Sequence, residues 1–121
     1  MLLSGDYARL LPALERMKID QFVLEYATPR AGDIEVVGTT LADRELGLGV
    51  VNPRTDAVES VDFIVAKAEK ALEFYRPDQL FLNTDCGFGC FASRSVNIEE
   101  IAYKKLCAIV AAARQLRARF S

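Results

Sequence analysis

The sequence contains no histidine in 121 residues, which excludes Ser-His or Cys-His nucleophilic chemistry and histidine-held metal sites contained within this chain. Cysteine is scarce, at three. An odd number without a secretion signal argues for free thiols or metal ligands over a disulfide framework. Neither sign of charge prevails: 15 basic residues face 17 acidic ones for a net charge of −2. Without a positive field, neither nucleic acid nor an anionic membrane surface is an expected partner. No apolar run approaches the roughly 20 residues of a membrane span. The opening Met1-Leu2-Leu3-Ser4-Gly5-Asp6 lacks a signal peptide's basic start and long apolar stretch, so a cytoplasmic location is expected. What the chain has in quantity is apolar content, 51% hydrophobic against 26% charged, which places it among globular proteins. No repeat, low-complexity tract or linker interrupts it, so residues 1–121 are read as one unit.

The apolar residues change period along the chain. Tyr7, Leu10, Leu11, Leu14 and Met17 recur at spacings of three and four, which predicts a short helix over Asp6 to Met17 despite Pro12. Gln21 to Tyr26 is apolar, aromatic and β-branched, a buried strand ended by the turn residues Pro29 and Gly32. A turn or two of helix is expected over Asp33 to Gly38. A second strand follows over Leu46 to Val51, where Gly47 and Gly49 invite close approach. Ser60 is an N-cap for a helix whose stripe runs through Val61, Ile64, Val65, Ala68, Leu72 and Tyr75 and stops before Pro77. Gln79 to Asn83 is the third strand and leads into a glycine-bearing loop. Asn97 with Glu100 forms a capping box for a long final helix through Ile98, Ile101, Leu106, Ile109, Val110, Ala113 and Leu116, whose last turn is basic.

Continuously apolar strands separated by helix-length segments predict an α/β fold with a parallel sheet. Right-handed crossovers then bring all strand carboxyl ends to one rim, where α/β folds carry their chemistry. Glu25, Asn52, Asp85 and Cys86 fall there. A carboxylate ending an apolar strand is costly unless paired, hydrogen-bonded or bound to metal; the alternative is a solvated rim residue. Cys86 between Asp85 and Gly87 suits a soft zinc ligand, set against an inert buried thiol. Together Glu25 and Cys86 make half of a tetrahedral zinc site. Cys90 reads first as loop or core and second as a third ligand. Cys107, among Ala108, Ile109 and Val110, reads as a buried apolar side chain. Arg54 can clamp a carboxylate or phosphate, or lie solvated beside Asp56; Arg94 carries the same two readings. Gly87 to Ala92 matches G-x-G-x-x-A, but the following strand and acidic residue of a dinucleotide site are lacking.

Leu82-Asn83-Thr84-Asp85-Cys86-Gly87-Phe88 resembles the Asn-Pro-Asp-Cys-Gly segment of the cobalamin-independent methionine synthase family. Leu24-Glu25-Tyr26-Ala27 before Pro29-Arg30 resembles that family's strand with a zinc-ligand glutamate, and Gly47-Leu48-Gly49-Val50 its Gly-x-Gly-Val strand. The likeness covers essentially the whole chain. It implies the last three parallel strands, with their helices, of a (β/α)8 TIM barrel, a fold of about 250 residues. It implies zinc on Glu25 and Cys86, with transfer of methyl from a methyltetrahydrofolate to a thiol such as homocysteine. Asp85 is then an orienting carboxylate, and Arg54 and Asn52 are substrate contacts.

Two departures stand beside the resemblance. The family's His-x-Cys ligand pair belongs upstream of Ser4, and Asn52-Pro53-Arg54 replaces an Asp-x-His run. The expectations are therefore a chain that starts just after the ligand pair and either self-assembles or pairs with a chain carrying the missing strands. A related thiol transferase, similar to epoxyalkane:coenzyme M transferase, and a noncatalytic oligomerising fragment are the alternatives.

Overall fold

A computed structural model describes residues 7–88 and 99–120. The elements run α1 (Leu11–Arg16), β1 (Gln21–Glu25), α2 (Ile34–Gly38), β2 (Glu45–Val51), α3 (Val61–Ala71), β3 (Leu80–Thr84) and α4 (Glu99–Phe120), with 3-10 turns before α1, α2 and β3. The strands form an open parallel sheet in the order β1-β2-β3, the α/β architecture expected.

Local chemistry sets the ends of these elements. The predicted helix over 6–17 is a 3-10 turn, Ala8–Leu10, followed by the single-turn α1, with Pro12 in the first turn. Proline has no N–H to donate there and none is needed, so Pro12 starts the α-helix instead of interrupting a longer one. Asp33 caps α2 by accepting the Glu35 N–H at 3.0 Å, and Ser60 Oγ caps α3 by accepting the Phe63 N–H at 3.1 Å. α3 ends at Ala71, earlier than the stripe through Tyr75 suggested, yet Tyr75 is still buried from the turn beyond it. The Asn97 cap lies outside the described residues.

Side-chain alternation divides the sheet into two faces. Phe22, Leu46, Leu48 and Val50 join Ile64, Val65 and Ala68 of α3 and Ala108, Ile109 and Ala112 of α4 in one buried cluster. The opposite face carries Val23, Gly47 and Phe81 in register, and beyond them Glu25, Gly49 and Asn83. Val23 is 60% exposed and Phe81 44%.

The buried side of α4 differs from the predicted stripe. Lys105, Ala108, Ile109, Ala112 and Leu116 face inward, while Leu106, Val110 and Cys107 are exposed. This corrects the reading of Cys107 as a core residue. α4 has apolar residues on more than one side, and the side with alanines at 108 and 112 is the one buried in the cluster shared with α3.

Candidate functional site

The carboxyl ends of the three strands meet as expected. β1 and β3 flank β2, so their axes lie about 10 Å apart, a gap that only a side chain crossing β2 can bridge. Asp85 makes that crossing. Its Oδ1 accepts the N–H groups of Tyr26 and Ala27, each at 3.1 Å. The Tyr26 N–H is shared with the Gly49 carbonyl, also at 3.1 Å. The carboxylate passes directly over Gly49, where any Cβ would collide with Asp85 Oδ1 and lie 2.8 Å from the Leu24 carbonyl oxygen. Gly47 similarly makes room for the Asn83 amide. The close approach invited by these glycines is thus one of side chains from β3 and the residue just after it. A register shift lies between Gly49 and Val51, and the Asp85 N–H donates to the Val51 carbonyl at 2.8 Å.

Glu25 closes β1 on the sheet's outer edge. Its main-chain N–H and C=O point away from β2 and both meet one group, the Tyr7 hydroxyl. That hydroxyl accepts from Glu25 N at 2.9 Å and donates to Glu25 O at 3.2 Å. The Tyr7 ring lies 5.3 Å from that of Tyr26. Burial, the charges of Glu25 and Asp85 adding to it, pushes the Tyr7 hydroxyl above 10.0, although its bond with the Glu25 main chain works the other way. The Asp85 carboxyl is raised above 3.8, first by burial and then by the Glu25 charge; the N–H groups of Ala27 and Tyr26 and the Arg54 guanidinium oppose that rise. Glu25, Asp85 and Arg54 therefore share one electrostatic neighbourhood.

The loop after β2 is anchored from beneath. Lys105 Nζ, wholly buried, donates to the carbonyls of Asn52 at 3.0 Å and Ala57 at 2.6 Å and to Glu59 Oε1 at 2.9 Å. Glu59 Oε2 in turn accepts the Asn52 N–H at 2.7 Å. Asn52 Oδ1 accepts the Arg54 N–H at 3.0 Å, so Asn52 shapes the loop, while Arg54 is exposed. Neither Tyr7 nor the Glu59–Lys105 pair was singled out by sequence. The one signal for the pair was a lysine on the same helical side as Ala108, Ile109 and Ala112.

Cys86, next to Asp85, is half-buried and not in a disulfide. Carboxylate oxygen and thiolate sulfur are both donors that zinc accepts, which is the chemistry Glu25 and Cys86 offer at this rim. Among the described residues no group of three or more metal-ligating side chains exists. Cys90 and Arg94 lie outside those residues.

A parallel sheet with a carboxylate and a thiol at its carboxyl rim is the α/β arrangement in which strand ends carry the chemistry, in barrels and open sheets alike. Residues 3–115 match the family model described as cobalamin-independent synthase, catalytic domain, and the chain belongs to that family. The methionine synthase of Pyrococcus abyssi is 34% identical over 93% of this chain, and that of Pyrococcus furiosus is 32% identical over the same share. The chain spans 31% of each of these relatives. A B12-independent methionine synthase from Shewanella sp. W3-18-1, solved with selenomethionine, superposes with a TM-score of 0.82 and 23% identity over 98% of this chain and 33% of that one. The three strands thus match part of a TIM barrel. No helix among the described residues is long and apolar enough to cross a membrane.

Proposed function

We propose that this chain forms part of the rim of a zinc-dependent methyltransferase that moves a methyl group from a methyltetrahydrofolate to a thiol such as homocysteine. The observation that carries the reading is the Asp85 carboxylate reaching across Gly49 to the main chain after Glu25, which links the two strand ends bearing the candidate ligands. Glu25 and Cys86 would hold the metal together with ligands from outside the described residues. Zinc bound there supplies the Lewis acidity that lowers a thiol's pKa and makes it a nucleophile at neutral pH. Asp85 orients the Glu25 strand end through main-chain bonds, and Arg54, exposed on its anchored loop, offers a bidentate contact to a substrate carboxylate. The substrates are a small-molecule thiol and a methyl donor. The open sheet favours assembly, either with itself or with a chain bearing further strands.

Native mass spectrometry of the protein purified from its own source without chelator tests this. An assembly carrying zinc, with the metal lost in Cys86→Ser, is the expected result; a metal-free assembly overturns the reading. Asn52-Pro53-Arg54, in place of the family's Asp-x-His run, favours a second reading, a related transferase acting on a different thiol. Turnover of an epoxide with coenzyme M in place of homocysteine would select it.

A further inference from the structure

We propose that Tyr7 is a positioning residue for the candidate metal site, holding Glu25 in place through its main chain. The proposal rests on the zinc reading of Glu25 above. At the end of an edge strand the outward N–H and C=O have no neighbouring strand to pair with, and the last residue of such a strand frays. At Glu25 both outward groups are taken by the single Tyr7 hydroxyl, at 2.9 Å as acceptor and 3.2 Å as donor. A hydroxyl can do this because it carries a donor and acceptor lone pairs on one atom. It therefore replaces the peptide group of a missing strand.

On the other side, the next two N–H groups, of Tyr26 and Ala27, are held by Asp85 Oδ1 at 3.1 Å each. The segment 25–27 is clamped from both edges by side chains 78 residues apart in sequence, with the Tyr7 ring packed 5.3 Å from Tyr26 to stiffen the outer arm. Fixing the main chain at Glu25 fixes where its Cα–Cβ bond points, and so confines the carboxylate to the open face beside Gly49 and Asn83. Ligand orientation of this kind is worth about tenfold or more in metal affinity.

The test is Tyr7→Phe, which keeps the ring and removes only the hydroxyl, made in the full chain. Hydrogen exchange at the Glu25 amide should accelerate by about tenfold, the effect of losing one net hydrogen bond; an unchanged rate overturns the clamp. Titration of the native assembly with zinc alone should show affinity reduced by about tenfold in Tyr7→Phe and further in Glu25→Gln. Leu46→Val, a core change at the amino end of β2, should leave zinc affinity unmoved, which separates positioning from general loss of stability. Equal zinc affinity of Tyr7→Phe and the unaltered chain overturns the positioning role. If the assembly that the unaltered chain forms in its own source takes up no zinc, the metal reading fails, and the Glu25 amide alone then decides the clamp.

Discussion

The helix-covered face of the sheet and its carboxyl rim are held by different forces. On the covered face Phe22, Leu46, Leu48 and Val50 pack against α3 and α4 with almost no exposure. That packing is strong and has little directional demand. At the rim three polar side chains bond to main chain: Tyr7 to Glu25, Asp85 to Tyr26 and Ala27, and Lys105 to Asn52 and Ala57. Each bond adds little net stability, though removing one partner of a buried charged pair is costly, and each demands a particular geometry. Packing decides that the sheet exists; polar contacts decide where the strand ends and loops point.

Variants can break this contrast. The largest effect is expected for Lys105→Ala, which removes the cation from a buried pair and strands Glu59 and two carbonyls, at about 3–5 kcal/mol. Urea unfolding would measure it, and Lys105→Met, which retains the stem, should recover part of the packing but not the protection of the 52–59 amides. Leu48→Ala, on the covered face, should cost about 2–5 kcal/mol in the same assay while leaving the exchange of the Tyr26 and Ala27 amides in its native order. Gly49→Ala sits between the regimes. Its Cβ meets both Asp85 and the Leu24 carbonyl, so a cost of about 1–3 kcal/mol should come with loss of protection at Tyr26 and Ala27.

The smallest expected effect is a pH dependence. The Asp85 carboxyl is raised above 3.8, chiefly by burial, so between 3.8 and its higher folded value the folded chain binds more protons than the unfolded one. The Asp85 contribution to stability therefore falls as pH rises through that window and levels off above it. Asp85→Asn keeps an acceptor without the charge. The difference in urea midpoint between it and the unaltered chain, followed from neutral pH down to 3.8, should move in favour of the unaltered chain; a flat difference would show that Asp85 ionises normally.

Much of the fold was legible from period and composition. The strand centres, the Ser60 and Asp33 neighbourhoods and the parallel arrangement follow from apolar runs and caps, which act within a few residues. Glu25, Asp85 and Cys86 were legible as rim residues because strand ends in a parallel sheet share one edge. The inward side of α4 was not, since its apolar residues allowed more than one face and only packing against α3 and the sheet chose between them. Cys107 fell on the exposed side for that reason.

By itself, then, the sequence determined the class of fold and which residues reach the rim, because hydrophobic period and capping are local properties. Only the tertiary structure decided that Tyr7 closes the Glu25 edge, that Asp85 crosses Gly49, and that Lys105 is buried on Glu59. Those contacts join residues 18, 59 and 46 positions apart. Their bonds depend on distances of about 3 Å that no local pattern encodes.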